Sequence, residues 1–484
     1  MKKPSKSTER KSKTSTKNQE FVIITYLFVG IFILMMGYFV YYQTVKSEDF
    51  INSPYNTRQD TFAEHVVRGD IVSADGKVLA ETIVGEDGVE TRYYPYGNMF
   101  AHAVGYDSNG KYGIESFANF NLLRSHTFFL EQIVNGIQNK KEEGDNVITT
   151  LNTALQETAY DALGNNRGAI IVLEPSTGKI LAMVSKPDFD PNQIVTDWNS
   201  IISNTDSENS VLVNRVTQGL YPPGSTFKIL TTLEYMRENP NYGEYSYDCT
   251  GSIRMDDTEI HCYNNSVHGT EDLKTSFDKS CNSSYASIGL SLNKSAFAKF
   301  CDDLLFHEDL PTSYPSKQSS FVLNKESDSG AAMQTAIGQG ETLVTPMHMA
   351  LITAAIANQG VMMEPYVIDH TQNYKGINVK SYKATPYETV LSKEETAVIQ
   401  EFMSSVVSDG TASKLSGQAY QAAGKTGSAE YSNTKGESHA WFTGYASTAE
   451  KGQIAVTIIV EGGGAGSTTA VPIAKDIFDT YFNN

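Results

Sequence analysis

One apolar run interrupts the alternation of hydrophobic and polar positions near the start of the chain. Residues Phe21 to Tyr42 include no Lys, Arg, Asp or Glu, so as a helix this run would be long enough to span a bilayer. Aromatic residues collect at its far end, as they do at membrane interfaces, at Tyr38, Tyr41 and Tyr42. No second run of this kind follows in the sequence. The pattern predicts a single transmembrane anchor at residues 21–45.

A cleaved signal peptide is the alternative interpretation of this run. The run is long for the apolar part of a signal peptide, and no small-residue cleavage site follows in Tyr41–Lys46. We therefore favour an uncleaved anchor that remains in the mature protein.

After the anchor, residues 46–145 show short, mixed patterns and predict a small domain. Asp70–Ala80 predicts two short strands joined by a turn at Asp75–Gly76. Lys140–Asn146 is a charged connector, so we place the end of this small domain at residue 145.

Residues 146–484 show more regular patterns and predict a larger domain. Thr153–Leu163 predicts a helix, and the apolar runs Gly168–Leu173 and Lys179–Val184 predict an antiparallel hairpin. Further predicted strands are Ala440–Tyr445 and Gln453–Val460; further predicted helices are Phe227–Met236, Ala331–Ile337, Pro346–Ala357, Lys393–Val407 and Ile473–Phe482. Strands at both ends with helices between them predict a central antiparallel sheet flanked by helices, an α/β (α+β) fold.

Charge is distributed unevenly along the chain. The 484 residues carry a net charge of −18, yet residues 1–20 hold seven Lys or Arg and only two acidic residues. By the positive-inside rule, the basic tail at 1–20 is cytoplasmic and the chain beyond the anchor lies outside the membrane. An acidic body of this kind excludes nucleic-acid binding through the phosphates.

Four cysteines occur, and two of them flank a short polar stretch. An outside location permits disulfides, so Cys249 and Cys262 either close a hairpin as a disulfide or remain as two free thiols. His261 beside Cys262 is a single pair, and no His/Cys cluster has metal-binding spacing. We therefore expect neither a metal nor a cofactor.

The segment from Tyr221 to Lys228 holds a candidate nucleophile, Ser225. Pro222, Pro223 and Gly224 stop regular structure, so a helix begins just after them and places Ser225 and Lys228 on one face. A serine needs an adjacent base, and partial burial with the helix dipole would lower the pKa of a lysine enough to serve. Ser-x-x-Lys alone is weak, because it also occurs at Ser108, Ser176, Ser276, Ser291 and Ser432.

Two further motifs follow along the chain. Ser280 and Asn282 form a Ser-x-Asn, which taken alone is equally an ordinary polar turn. Lys-Thr-Gly occurs once, at Lys425, Thr426 and Gly427, and is followed by Ser428. A strand there would let the Lys425 ammonium and the two hydroxyls line one side of a cleft, with a close backbone approach at Gly427.

Together the three motifs carry a family resemblance, since Ser-x-x-Lys, Ser-x-Asn and Lys-Thr-Gly in this order are the signature of penicillin-binding proteins and class A β-lactamases. Beyond the anchor the sequence resembles class B penicillin-binding proteins of the short-pedestal type. Other stretches that carry the resemblance are Asn56–Arg58, Arg68–Ala80, Thr149–Gln156, Leu173–Ala182, Gly338–Gly340, Thr345–Pro346 and His439–Phe442. The resemblance implies a pedestal or dimerisation-like domain at 46–145 and a transpeptidase domain at 146–484.

The resemblance also implies roles for the motif residues in a peptidoglycan D,D-transpeptidase that binds penicillin covalently. Ser225 would attack the stem peptide, Lys228 would take its proton, and Ser280 would pass a proton to the leaving amine with Lys425 as a second relay. Asn282 would hold Lys228 and the substrate amide. Thr426 and Ser428 would bind the substrate carboxylate next to Gly427, and the N–H groups of Ser225 and Ser428 would form the oxyanion hole.

The family's partners are stem peptides, β-lactams, the cytoplasmic membrane and a polytopic glycan polymerase, and the resemblance implies these here. Cys281 occupies the middle of the Ser-x-Asn motif, and its side chain is expected to point away from substrate. A D,D-carboxypeptidase, which uses water as acceptor, remains open. A β-lactamase, a β-lactam sensor and an inactive scaffold are less favoured, because no deacylating group or inner signalling domain is evident and the motif residues are intact.

Overall fold

The computed structural model describes residues 14–43, 63–138, 140–206, 209–431 and 437–483. The chain divides into two units, Met1–Thr57 and Arg58–Asn484. In the first unit, helix α1 spans Thr14–Tyr41. Its part Gln19–Tyr41 includes an 18-residue stretch with a mean hydropathy of 2.3 and is long and apolar enough to cross a membrane, which fits the predicted anchor. Residues 1–13 of the predicted tail and residues 44 and 45 lie outside the described residues.

The second unit is built from helices and strands in alternation. Its helices are α2 Ala101–Val104, α3 Ile114–Phe117, α4 Asn119–Leu122, α5 Phe129–Ile137, α6 Thr153–Leu163, α7 Ile194–Ser203, α8 Arg215–Gln218, α9 Lys228–Glu238, α10 Leu273–Asp278, α11 Asn282–Ser291, α12 Lys294–Asp303, α13 Ser329–Ala336, α14 Pro346–Ala357, α15 Lys393–Ser408 and α16 Gly466–Asn483. Short 3₁₀ turns occur at Gly97–Phe100, Gly224–Phe227, Tyr242–Glu244, Tyr263–Asn265 and Ser413–Leu415.

The strands of the same unit fall into two larger sheets and several two-stranded pairs. They are β1 Val66–Val67, β2 Ile71–Val72, β3 Val78–Val84, β4 Glu90–Tyr93, β5 Glu142–Glu143, β6 Asn146–Thr149, β7 Gly168–Leu173, β8 Ile180–Lys186, β9 Tyr247–Cys249, β10 Ser252–Met255, β11 Thr258–His261, β12 Gly269–Glu271, β13 Val361–Met363, β14 Ile368–Gln372, β15 Asn378–Ser381, β16 Pro386–Thr389, β17 Gln421–Glu430, β18 Ser438–Thr448 and β19 Gly452–Val460.

The central sheet has five antiparallel strands in the order β17-β18-β19-β7-β8. It joins the two ends of the predicted larger domain, which confirms the fold class predicted from the sequence. Strand β7 is buried at every position and β18 at nearly every one, so both faces of the sheet are covered. The covering helices include α14, which is buried throughout, and α16. Strand β17 lies at the edge of this sheet, so one side of its backbone has no neighbouring strand among the described residues.

A second sheet crosses the predicted domain boundary at residue 145. Its order is β15-β14-β6-β2-β3-β4, so strands from before residue 94 pair in one sheet with strands from after residue 367. The predicted turn at Asp75–Gly76 connects β2 and β3, as expected. Because this sheet takes strands from both sides of residue 145, the predicted boundary between two domains at that residue stays a prediction.

Two small antiparallel strand pairs lie between α9 and α10, the pair of β9 with β12 and the hairpin of β10 with β11. The second lies between Cys249 and Cys262, so the predicted hairpin is present. The predicted disulfide alternative is wrong, because both cysteines are free and their Sγ atoms lie 3.7 Å apart. A disulfide requires about 2.05 Å. The other interpretation, two free thiols, holds, and both thiols are buried.

A close backbone approach joins two turns beside the central sheet. Gly224 N donates a hydrogen bond to Gly338 O at 2.8 Å. Gly338 has φ of +72°, and a Cβ at this position would lie 2.0 Å from Gly224 O. Nearby Gly340 also has a positive φ, +78°, but a Cβ there would find its nearest neighbour at 3.4 Å. Both positions therefore have a left-handed backbone. Of the two, only Gly338 also lacks the space for a Cβ atom.

We predict that Gly338→Ala destabilises the protein more than Gly340→Ala. Both variants pay about 1–2 kcal/mol for a left-handed alanine. Gly338→Ala must also separate two backbone segments, which brings its total to about 3 kcal/mol or more. Thermal unfolding of the detergent-solubilised full chain measures the difference as a larger fall in Tm for Gly338→Ala. Equal falls in the two variants would contradict the described contact.

Candidate active site

The turn that carries Ser225 is fixed on both sides by hydrogen bonds. Gly224–Phe227 forms one 3₁₀ turn, and α9 begins immediately after it at Lys228. Trp441 Nε1 donates to Pro222 O at 3.1 Å, and Thr226 Oγ1 donates to Pro223 O at 2.7 Å. Ser225 itself is half-buried, and its hydroxyl has no hydrogen bond within the described part of the chain. The fold therefore holds the backbone of Ser225 and leaves its hydroxyl available.

Lys228 is fully buried and donates three hydrogen bonds. Its Nζ contacts Ser280 O at 2.8 Å, Ser280 Oγ at 3.2 Å and Asn282 Oδ1 at 2.7 Å. None of these acceptors is a carboxylate, so the ammonium is hydrogen-bonded without an ion pair to it. Burial lowers the pKa of Lys228 to about 8, and more distant acidic groups counteract this only in part. Near that pH a useful fraction of Lys228 is neutral and able to accept a proton.

Ser280 lies in a short turn between helices α10 and α11 and has φ of +55°, which is unusual for a residue with a side chain. Ser280 N donates to Phe277 O at 3.1 Å, and Cys281 N donates to Ser276 O at 2.9 Å. Cys281 then caps α11, with its Sγ accepting from Ser284 N at 3.4 Å. These bonds hold a conformation that costs about 1–2 kcal/mol. The strained turn points both the carbonyl and the hydroxyl of Ser280 at Lys228.

Lys425 reaches the same hydroxyl from the central sheet. Its Nζ donates to Ser280 Oγ at 2.9 Å and to Thr426 O at 3.2 Å. Lys425 is fully buried, and burial followed by the charge of Lys228 holds its pKa well below the usual value. With two lysine amines donating to it, Ser280 Oγ has both lone pairs occupied, so its own hydrogen is left for a third partner. Ser280 can thus exchange protons with a lysine on either side.

Strand β17 carries the remaining predicted residues. Thr426 and Ser428 are two residues apart and share one face of the strand. Thr426 Oγ1 lies 2.6 Å from Thr411 Oγ1, and Ser428 Oγ accepts from Gly466 N at 3.4 Å. A Cβ on Gly427 would lie 3.2 Å or less from Thr226, Trp441 and Pro223, so a glycine allows the Ser225 turn to pack directly on β17.

The structure thus brings all eight predicted site residues into one region. Hydrogen bonds join Lys228, Ser280, Asn282 and Lys425 directly, and the Ser225 turn packs against the strand that holds the other three. Their roles in a reaction remain predictions at this point.

Two aromatic rings beside the lysines were not found from the sequence. Lys228 Nζ lies 5.1 Å from the ring centre of Tyr285, and Lys425 Nζ lies 5.5 Å from that of Phe277. Both rings are fully buried and can stabilise a cation without adding a negative charge. The sequence does place Phe277 and Tyr285 on the two helices that flank Ser280. Helical spacing, however, predicts only that these rings are core residues and not that they lie beside the lysines.

Asn282 has a second contact that sequence reasoning also missed. While its Oδ1 accepts from Lys228, its Nδ2 donates to His261 O at 3.0 Å, at the end of β11. The amide is therefore held between α9 and the small β10–β11 hairpin. This contact fixes which amide atom faces Lys228.

Comparison with known proteins agrees with this geometry. A family model described as "Penicillin binding protein transpeptidase domain" matches residues 168–479, and one described as "Penicillin binding protein A dimerisation domain" matches residues 68–147. The protein named "Peptidoglycan D,D-transpeptidase PbpA" from Mycolicibacterium smegmatis is 29% identical over 439 residues, which cover 84% of this chain and 87% of that protein. "Peptidoglycan D,D-transpeptidase MrdA" from Acinetobacter baumannii is 27% identical over 455 residues, which cover 81% and 66% of the two chains.

Solved structures resemble the fold over most of its length. Penicillin-binding protein A from M. tuberculosis, solved as a ceftriaxone acyl-enzyme complex, has a TM-score of 0.78 and 26% identity and covers 88% of this chain and 100% of its own. The D,D-transpeptidase domain of a peptidoglycan glycosyltransferase from Eggerthella lenta has a TM-score of 0.75 and 28% identity, with coverage of 86% and 98%. Since the transpeptidase model matches more than half of the chain, the protein belongs to the penicillin-binding protein transpeptidase family.

Proposed function

We propose that this protein is a peptidoglycan D,D-transpeptidase that forms an acyl-enzyme on Ser225 and is acylated there by β-lactams. The observation that carries the proposal is the buried hydrogen-bond network of Lys228, Ser280 and Lys425 beside the Ser225 turn. Support also comes from the family match and from relatives named as D,D-transpeptidases. A similar protein has been solved with ceftriaxone bound as an acyl-enzyme.

In the first step, neutral Lys228 accepts the proton of Ser225 as Oγ attacks the carbonyl carbon of the penultimate D-Ala. The C–O bond forms and the carbonyl oxygen becomes an oxyanion, which the backbone N–H groups of Ser225 and Ser428 stabilise. Each such donor contributes about 3–4 kcal/mol in related acyl transfers. Ser280 then gives its proton to the departing amine and is reprotonated by a lysine, and the terminal D-Ala leaves as the C–N bond breaks.

In the second step, the amine of another stem peptide attacks the ester carbon of the acyl-enzyme, so that a C–N bond forms and the C–O bond to Ser225 breaks. Its excess proton returns through Ser280 and Lys228 to Ser225 Oγ, so the enzyme ends in its starting state. A β-lactam follows only the first step, because its leaving amine remains tethered to the acyl group.

Substrate recognition uses the outer edge of the central sheet. The edge of β17, which pairs with no other strand among the described residues, can pair with the extended backbone of a stem peptide, as peptides do at other open sheet edges. Thr426 and Ser428 bind the terminal carboxylate of the donor peptide. Gly427 lets the Ser225 turn lie against this strand, which keeps the nucleophile next to the bound peptide.

Membrane topology follows from the same assignment. The apolar helix Gln19–Tyr41 anchors the protein as a single pass. We propose that residues 1–20 are cytoplasmic and that the transpeptidase domain, residues 146–484, acts outside the membrane above a pedestal at 46–145. A polytopic glycan polymerase that supplies uncross-linked strands is the partner this arrangement suits, with contacts through the anchor and pedestal.

The proposal predicts that product formation requires Ser225 and an amine acceptor. With a stem-peptide or thioester donor, added D-amino acid should be incorporated into product by the wild type. Ser225→Ala should lose at least about 10³-fold of the rate, because removal of a nucleophile leaves only binding effects. The measurement is separation of transfer and hydrolysis products by mass spectrometry.

Ser291→Ala is the matched control for this prediction, since Ser291 also begins a Ser-x-x-Lys but is exposed at the end of α11. It should retain wild-type transfer. Hydrolysis that is indifferent to added amine would assign the carboxypeptidase function instead. Unchanged acyl transfer in Ser225→Ala would refute the proposed nucleophile.

Acylation by penicillin should also depend on pH through Lys228. The neutral base is the reactive form, so the rate should rise about tenfold per pH unit at low pH and level off above the pKa of Lys228, about 8. Titratable groups around it are Lys425, Tyr285, Cys281, Cys262 and Glu271.

The measurement is the second-order acylation rate between about pH 6 and 10, with circular dichroism at each pH to verify that the fold persists. Lys228→Arg is the control, since a guanidinium stays charged throughout this range. It should show a low rate without the inflection. A flat wild-type profile would contradict Lys228 as the base.

A further inference from the structure

Four side chains from separate segments meet next to the Ser280 turn. They are Cys249 at the end of β9, Cys262 just after β11, His268 just before β12 and Cys281 at the start of α11. The three Sγ atoms and one ring nitrogen of His268 all lie within 4.8 Å of one another. The three cysteines are buried and the imidazole is half-buried. No metal site was expected from the sequence, because the histidine considered there was His261, next to Cys262, and not His268.

Three of the distances between these atoms match the edges of a tetrahedral metal site. Cys262 Sγ lies 3.7 Å from both Cys249 Sγ and Cys281 Sγ, and Cys249 Sγ lies 3.4 Å from His268 Nδ1. A tetrahedral zinc ion with Zn–S of about 2.3 Å and Zn–N of about 2.0–2.1 Å gives S–S edges of about 3.8 Å and S–N edges of about 3.5 Å. Disulfides, at about 2.05 Å, do not fit the same sulfur positions.

One hydroxyl, that of Ser283, lies against all three sulfurs of the cluster. Ser283 Oγ lies 3.2 Å from Cys249 Sγ, 3.3 Å from Cys262 Sγ and 3.4 Å from Cys281 Sγ. One hydroxyl has a single hydrogen, so it can donate to only one of the three sulfurs at a time. As a neighbour of metal-bound thiolates, however, Ser283 would supply the outer hydrogen bond that such ligands commonly receive.

We propose that Cys249, Cys262, His268 and Cys281 bind one Zn²⁺ ion in a closed, tetrahedral Cys₃His site. Thiolates and imidazole in four-coordinate geometry are the ligands that zinc prefers. Each thiol releases its proton as its sulfur binds, so occupation of the site liberates up to three protons. Four protein ligands leave no position for water, which makes the site structural.

Zinc at this position would fasten the β9–β12 pair and the β10–β11 hairpin to the turn that carries Ser280 and Asn282. Cys281 stands between those two residues in sequence, and Asn282 Nδ2 donates to His261 O, one residue before Cys262. The metal thereby supports the left-handed backbone of Ser280 from outside the reaction centre. The four ligands are positioning residues for the proposed function, and this second part of the inference rests on that function.

Metal binding also explains how three neighbouring thiols can persist outside the membrane. Thiols in oxidising compartments form disulfides, and these sulfurs are close enough to react after small movements. Coordination to zinc, which has no redox chemistry of its own, holds them apart at the observed distances.

The direct test is the metal content of the full chain purified in detergent without chelators. We expect one zinc per chain by plasma mass spectrometry, and equal uptake when the chelated protein is titrated with ZnCl₂ against a chromophoric chelator. Cys249→Ser and His268→Ala should lose stoichiometric zinc. Cys301→Ser and His261→Ala should keep it, since Cys301 is buried elsewhere and the His261 side chain is exposed.

Folding failure in the ligand variants is separated from ligand loss by using the wild type itself. Cobalt(II) added to chelated wild-type protein should give the visible absorption of tetrahedral thiolate coordination. Absence of zinc, of ZnCl₂ uptake and of this spectrum in folded wild type would overturn the proposal. Detection of a disulfide between any two of the three cysteines in the native protein would overturn it as well.

The positioning role has its own readout. Removal of zinc from wild type should slow penicillin acylation by about tenfold or more, and ZnCl₂ should restore the rate. Ser225→Ala should bind zinc normally while failing to react, so failure of the metal site and failure of the proposed function give different results. Equal acylation rates with and without zinc would refute the positioning role and leave only a structural metal.

Discussion

The site depends on two buried lysines whose amino groups meet at one serine hydroxyl. Lys228 and Lys425 are both fully buried and both donate to Ser280 Oγ, at 3.2 Å and 2.9 Å. Placing two cations this close is unfavourable when no carboxylate of the described residues makes a hydrogen bond to either one. The fold offsets the cost with carbonyl and amide oxygens and with two aromatic rings. The burial that makes the two charges unfavourable also lowers the pKa of both lysines, so that each can exchange protons more readily than an exposed lysine.

Three elements that are remote in sequence must agree for this contact to form. Helix α9 supplies Lys228, the turn between α10 and α11 supplies Ser280, and the edge strand β17 supplies Lys425. Two of them are held by neighbours outside the network: the turn that leads into α9 by the Gly338 backbone, and the start of α11, next to the Ser280 turn, by the contact of Asn282 with the β10–β11 hairpin. The metal site proposed above would fix the Ser280 turn a second time, through Cys281.

Much of the fold followed from the sequence, and the misses have a common cause. The helices at Thr153–Leu163 and Pro346–Ala357 have the predicted bounds, and four of the five strands of the central sheet, β7, β8, β18 and β19, lie where apolar runs predicted them. Periodicity reports local structure, so it could not show that β14 and β15 join a sheet with strands from before residue 94. The motif residues were found because their spacing within each motif is local, whereas Tyr285 and Phe277 acquire their role only through packing.

The cysteines illustrate the same limit in a sharper form. Sequence proximity favoured the pair Cys249 and Cys262, and left a disulfide open. In the fold, His268 and Cys281 also lie close to these two cysteines, because β9 pairs with β12 and α11 begins beside both strand pairs. Strand pairing therefore determines that His268 joins the proposed ligands, and the spacing of residues along the sequence does not reveal that pairing.

The central claim, that this network activates Ser225, is tested most directly by locating the covalent adduct of penicillin. The full-length protein would be incubated with penicillin, denatured, digested and mapped by tandem mass spectrometry. The account predicts one adduct per chain, on the peptide that contains Ser225, with its formation strongly slowed in Lys228→Arg. An adduct on any other serine, or unchanged modification in Lys228→Arg, would contradict it.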